Sequence, residues 1–184
     1  MADEAFSRGA PASGAPAAAS GAPAAGVQAD VLREINSLWR EIDEAYHGVC
    51  VAFGLSDGTF DVMYAVGLLG EGCLQRDICA QMCLGKQTVN SSVHKLAAQG
   101  HLVLERAPRG RGTRVFLTDT GRELVGRCIV PVMRAEVDAM DALDEQDRET
   151  LYRVAGSYVS DLRKRFCGVI DAALEPTPAP APAR

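Results

Sequence analysis

Seven of the eight polar side chains between Lys86 and Lys95, namely Lys86, Gln87, Thr88, Asn90, Ser91, His94 and Lys95, stand around the apolar Val89 and Val93. At 3.6 residues per turn, Val89, Val93, Leu96 and Ala97 fall on one stripe, and the polar set points away from it. The chemistry on offer is hydrogen bonding. Gln and Asn pair bidentately with adenine, Ser and His form less discriminating bonds, and lysines suit phosphates. Gln87, Asn90, Ser91 and His94 are thus candidates for reading base edges, and Lys86, Thr88 and Lys95 for holding the backbone. A plain solvated helix face is the alternative reading.

A second group follows at once. From Glu105 to Arg114 the chain reads Glu-Arg-Ala-Pro-Arg-Gly-Arg-Gly-Thr-Arg, placing Arg109, Arg111 and Arg114 among glycines that let the backbone turn closely. Arginines so presented can enter a narrow minor groove, where the negative potential is enhanced. Charge singles out the same stretch. Residues 86–114 hold six basic residues and one acidic one, a net +5 in a chain of net charge −5, so the remainder carries −10. An acidic chain with one basic segment does not coat nucleic acid indiscriminately; it presents one face and repels elsewhere.

Such groups need elements to carry them. Gly85 breaks the chain before Lys86, and a short helix from about Leu74 to Leu84 precedes it, which makes two short helices joined by a turn. The second ends at Gly100. Leu102–Leu104 and Val115–Leu117 are short runs of strand formers around the arginine turn, the pattern of a β-hairpin. Helix, turn, helix, hairpin is an order that suits a major groove about 12 Å wide, with the hairpin as a wing.

Long helices flank this segment. Ile35, Trp39, Ile42, Tyr46, Val49 and Phe53 recur at alternating intervals of four and three, a coiled-coil-like seam. A helix over about 28–53 spans roughly 39 Å. That exceeds what one small core covers, so part of it is expected to pack on a partner chain. Ser56 and Asp57 signal the start of another helix carrying Phe60, Met63, Tyr64, Val66 and Leu68. After Thr118 a long helix is expected with Leu124, Cys128, Val132, Ala135 and Ala139 inward, kinked or interrupted at Pro131. A last helix over about 145–174 carries Leu151, Val154, Tyr158, Leu162, Phe166, Val169 and Ala173 at helical spacing.

The ends differ in kind. Residues 1–26 are nearly all Ala, Gly, Pro and Ser, with Gly-Ala-Pro repeated three times, and residues 175–184 are a Pro/Ala tract. Neither buries enough apolar surface to offset chain entropy, and both are expected to be disordered tails. The expected fold is mainly α with a small β-hairpin: one domain over 27–174, in which a winged helix-turn-helix (55–118) is flanked by dimerisation helices (27–54 and 119–174).

Several classes recede. No run approaches the roughly 20 apolar residues of a membrane span, and the start has no basic-then-hydrophobic signal, so a cytoplasmic protein without membrane attachment is expected. Six cysteines would make an even disulfide set, yet with no export signal and an ample core, reduced thiols are the expectation. The three histidines, 47, 94 and 101, do not combine with the cysteines into a zinc pattern, so neither metal nor cofactor is expected. Gly110 and Gly112 sit in a basic hairpin, not between strand and helix, and no nucleophile has a base beside it, so no enzyme is expected.

In their order along the chain, Leu55-Ser-Asp-Gly-Thr-Phe60, Ile78-Cys-Ala80, Lys86-Gln-Thr-Val-Asn-Ser91, Leu96-Ala-Ala-Gln-Gly100 and Leu117-Thr-Asp-Thr-Gly121 resemble the MarR family of bacterial regulators. The resemblance covers about Leu55 to Leu124. It implies a homodimer on double-stranded DNA, the winged domains reading successive major grooves of a palindromic operator with half-sites roughly 34–36 Å apart. It implies a repressor released by a small aromatic or phenolic effector, with Tyr46, His47, Met63 and Tyr64 lining the effector site. Wings of the family commonly brace their arginine with an Asp, which Arg109-Gly-Arg-Gly112 lacks.

Two alternatives accompany that reading. One is a winged-helix module that binds an acidic protein and no operator. The other is a thiol redox sensor using Cys50, Cys73, Cys128 or Cys167; Cys79 and Cys83 are instead expected to pack as small hydrophobes.

Overall fold

The computed structural model describes residues 27–108 and 112–174. The two tails, and Arg109, Gly110 and Arg111 of the hairpin, lie outside the described residues. Two compact units divide after Met133 and are taken in turn.

The first unit opens with α1 (Val27–Ala52), followed by α2 (Asp57–Leu69), β1 (Cys73–Leu74), α3 (Gln75–Met82), α4 (Lys86–Ala98), β2 (Leu102–Arg106), β3 (Thr113–Leu117) and α5 (Asp119–Leu124). Its core is built from α2, α3, α4, the sheet and the turn after α5: Val62, Met63, Ile78, Val89, Val93, Leu96, Val115, Cys128 and Ile129 are fully buried. Each large apolar side chain removed from water contributes roughly 1.5–3 kcal/mol, so the core suffices to hold α4 rigidly by its inner stripe. Ser92 is buried in the same face, which periodicity did not predict.

Local signals explain the boundaries. Ser56 precedes α2, and its amide donates to the Thr59 hydroxyl at 3.0 Å, closing the first turn. Between α3 and α4 the chain leaves helical geometry at Gly85 as expected, but the residue that turns it lies two positions earlier. Gly85 is extended (φ −64°, ψ 145°), and the left-handed residue is Cys83 (φ 51°). Leu84 N–H reaches the Cys79 carbonyl at 3.1 Å, so α3 ends in a left-handed cap at the cysteine. This also exposes Cys83, contrary to the buried role expected for it.

The β component is larger than a hairpin. β1 pairs antiparallel with β3 (Cys73↔Val115, Leu74↔Arg114), giving a three-stranded sheet in the order β1-β3-β2. Two residues are too short a run to register as a strand in sequence; pairing to β3 defines them. The hairpin strands extend further toward the tip than expected, with Arg106 opposite Thr113.

After α5 the helix takes a π-helical turn (Val125–Ile129), with Val130 N–H bonded to the Val125 carbonyl, before α6 (Val130–Asp141). Pro131 lies one residue on. The widened turn meets the expectation of an interruption there, since proline has no N–H to give and crowds the preceding turn.

In the second unit, residues 134–174, α6 runs out at Asp141 and α7 (Glu145–Leu174) follows. Asp144 caps α7, accepting from the Asp147 amide at 2.8 Å. Ala135 and Ala139, expected inward, are exposed, and α7 has no buried residue. Leu151, Val154, Val159, Phe166 and Val169 are exposed along it, as are Leu38, Trp39, Ile42, Tyr46 and Phe53 on or just beyond α1 in the first unit. Among the described residues, no single helix is long and apolar enough to cross a membrane.

Candidate nucleic-acid interface

With Val89, Val93 and Leu96 fixed in the core, the rotation of α4 is set, and Lys86, Gln87, Asn90, Ser91, His94 and Lys95 are exposed on its far side. Two candidates differ from the rest. Thr88 is half-buried, its methyl turned toward Gly58 of α2. The Ser91 hydroxyl donates to the Thr88 carbonyl at 2.9 Å, which leaves its oxygen an acceptor for an outside donor. Gln87, Asn90 and His94 keep both hydrogen-bonding roles available on the same face as the lysines.

The wing arginines separate by position. Arg114 lies within β3, opposite Glu105 on β2 and Leu74 on β1, and is exposed. Its guanidinium lies near Gly72, whose backbone (φ 82°) brings it so close to the Phe116 ring that a side chain there would stand 3.0 Å from it. Arg114 thus lies in the three-stranded part of the sheet, one register step from the outermost pair of the hairpin and not in the turn itself. Arg109 and Arg111 fall outside the described residues. Arg106, which composition counted but no role claimed, is exposed at the outer end of β2.

A set of residues that sequence reasoning did not assign holds the wing in place. Thr118 caps α5, accepting from the Gly121 amide at 3.0 Å, while its hydroxyl donates to the Gly100 carbonyl at 2.6 Å. Thr120 donates to the same carbonyl at 2.8 Å. Arg122 forks onto Glu71, Nε to Oε1 and Nη2 to Oε2 at 2.8 Å each, and gives Nη1 to Asp119 at 2.7 Å. The guanidinium holds the Glu71 carboxyl below its usual range, and the carboxylates raise Arg122 in turn. The Thr118 cap was legible as a Thr before a helix; the Glu71 partnership, across 51 residues, was not.

The effector candidates come together in part. Tyr46, Phe60 and Tyr64 form an aromatic ladder, with ring centroids 6.1 and 5.9 Å apart. His47 Nδ1 lies 3.0 Å from Asp57 at the start of α2. Met63, on the same helix, is fully buried in the core.

The thiols divide by burial. Burial, with the Asp57 carboxylate beside it, pushes the Cys50 thiol up to about 12, and burial also raises Cys73, Cys79 and Cys128. Raised thiols hold little thiolate and react slowly with oxidants, which weighs against a sensing role for Cys50, Cys73 or Cys128. Among the described residues, no group of three or more His, Cys, Asp or Glu side chains is placed to hold a metal ion.

Residues 53–111 match the sequence model of the MarR family. Among solved structures, the chain is similar to a MarR protein from Peptoclostridium difficile (TM-score 0.61, 16% identity, covering 83% of this chain and 99% of that one). It is also similar to the PcaV transcriptional regulator of Streptomyces coelicolor, solved with its natural ligand (TM-score 0.53, 20% identity, 67% and 89% covered). A third is BpsR of Bordetella bronchiseptica, whose DNA binding is regulated by 6-hydroxynicotinic acid (TM-score 0.52, 19% identity, 68% and 98% covered). Identities this low establish a shared fold. No curated protein matches the sequence.

Proposed function

Because residues 53–111 match the sequence model of the MarR family, we propose that this chain is a sequence-specific DNA-binding regulator, a repressor that grips a palindromic operator as a homodimer. The observation that carries the reading is α4 itself. Its apolar stripe is locked in the core, and Lys86, Gln87, Asn90, Ser91, His94 and Lys95 stand exposed together opposite it. Gln87 and Asn90 read bases, the lysines hold phosphates, and the arginines of the hairpin reach the adjacent minor groove.

The exposed apolar residues of α1 and of α7 support the dimer in this reading, as surface that a second copy covers. Leaving so many large apolar side chains in water is unfavourable for a lone chain. A small aromatic acid or phenol releases the DNA by binding at the junction of α1 and α2, where Tyr46, Phe60 and Tyr64 offer ring faces and His47 a polar contact. PcaV, solved with its natural ligand, and BpsR, whose DNA binding is regulated by 6-hydroxynicotinic acid, lend the reading support by analogy of fold.

The test is selection of fragments bound by the full chain from genomic DNA, followed by affinity measurements over a range of salt. Recovery of an inverted repeat, bound with a steep salt dependence, supports the reading. Binding with no sequence preference, or capture of an acidic protein in place of DNA, overturns it.

A further inference from the structure

Arg122 stands apart from α4, and each hydrogen bond described for its side chain goes to a carboxylate. Its main partner, Glu71, sits in the turn that leads from α2 into β1, between Gly70 (φ 84°) and Gly72 (φ 82°). Two flanking glycines leave such a turn little stiffness of its own. Beyond it, the Gly72 amide donates to the Val115 carbonyl at 2.7 Å and β1 pairs with β3, so whatever holds Glu71 also holds the outer edge of the sheet.

The same turn of α5 grips the sheet from the other side. Thr118 and Thr120 donate to the Gly100 carbonyl, and the Thr118 amide donates to the His101 carbonyl at 3.0 Å, just where the chain enters β2. β3 runs straight into Thr118. The five residues Thr118–Arg122 thus gather the roots of all three strands.

We propose that Arg122, acting through Glu71, is a positioning residue for the wing: the fork fixes the direction in which the β2–β3 hairpin leaves the domain, and so which phosphates and groove its arginines reach. The proposal rests on the DNA-binding reading above. Its physical ground is the difference between stability and direction. A half-exposed ion pair adds little to folding stability, but a bidentate arginine–carboxylate fork constrains geometry in a plane. Losing it leaves the core intact and the hairpin loosely aimed.

Charge makes the test discriminating. Glu71→Ala removes a negative charge, so long-range electrostatics alone would tighten DNA binding; loss of the latch weakens it. The full chain is compared with Glu71→Ala, Arg122→Ala and the double variant, using a duplex of the sequence recovered by wild-type selection. The expected result is that each single variant binds about tenfold more weakly, with a shallower salt slope. The double variant is expected to be no weaker than Arg122→Ala, because both changes break one interaction. Hydrogen exchange without DNA should quicken at the Gly72 amide and along β1–β3, while the amides of α4 keep their protection.

Unchanged or tighter binding by Glu71→Ala, or additive losses in the double variant, overturns the proposal. If the wild-type chain binds no duplex, the DNA-binding reading fails, and exchange at Gly72 still decides the latch: wild-type exchange rates in both single variants overturn it.

Discussion

The backbone of Gly121 lies against the carbonyl of His101 so closely that a Cβ on Gly121 would stand 2.1 Å from the oxygen. Three segments meet there: the turn leaving α4, the entry to β2, and the first turn of α5. The Thr118 amide bonds to the same carbonyl at 3.0 Å, so the close approach places α5 where it can brace the wing.

Gly121→Ala sets two effects against each other. Inside a helix, alanine is favoured over glycine by about 1 kcal/mol. The clash is with backbone, which cannot rotate away, and overpacking of this kind costs about 3 kcal/mol. The net expectation is destabilisation by about 2 kcal/mol, read as a lowered midpoint in urea unfolding. A variant as stable as wild type would show that the turn can yield.

The Glu71 carboxyl is held below its ordinary value of 4.5 by the Arg122 fork. Its folded value lies below its unfolded one, so its contribution is complete above about pH 4.5 and is lost as pH falls through the lowered folded value. An NMR titration of the side-chain carboxyl carbon should therefore show a midpoint below 4.5, moving back toward the ordinary value in Arg122→Ala. A wild-type midpoint at or above the ordinary value would mean that the fork does not persist in solution.

Thiol labelling should follow burial. Cys83 is exposed at the end of α3, whereas Cys50 and Cys128 are buried and their thiols raised. Iodoacetamide at pH 8 should alkylate Cys83 in the native protein and reach Cys50 and Cys128 only after unfolding, as read by mass spectrometry. Rapid native labelling of Cys50 would restore it as a candidate redox sensor.

Replacing Trp39 or Ile42 of α1 with Glu should shift the protein toward monomer in sedimentation velocity, since each is exposed in the single chain and becomes buried in the proposed dimer. Sedimentation identical to wild type would place the dimer contact elsewhere.

Gln87→Ala and Asn90→Ala should lower discrimination between the selected duplex and its single-base variants by about 1–3 kcal/mol for the base each contacts. Affinity for unrelated DNA should hardly change. If selectivity survives both, α4 reads bases through other residues.

Sequence alone determined the parts whose causes are local. The period of apolar residues placed α4 and oriented its polar face, because a buried stripe at 3.6-residue spacing leaves one rotation. The same period placed α7 over about 145–174, where the structure has it at Glu145–Leu174. Pro131 announced the interruption before α6 because a missing N–H acts within its own turn.

The tertiary structure decided what depends on pairing between distant segments. Cys73–Leu74 becomes a strand only because β3 lies beside it, and the left-handed residue between α3 and α4 is Cys83 because α3 ends two residues earlier than its pattern suggested. Ala135 and Ala139 point to solvent because helical spacing says that a face exists, not that anything covers it. Glu71 and Arg122 lie 51 residues apart, and no spacing rule links them. The recognition helix was legible because its core contacts repeat along one helix; the bracing of the wing was not, because it is made by side chains and carbonyls that meet only once the chain has folded.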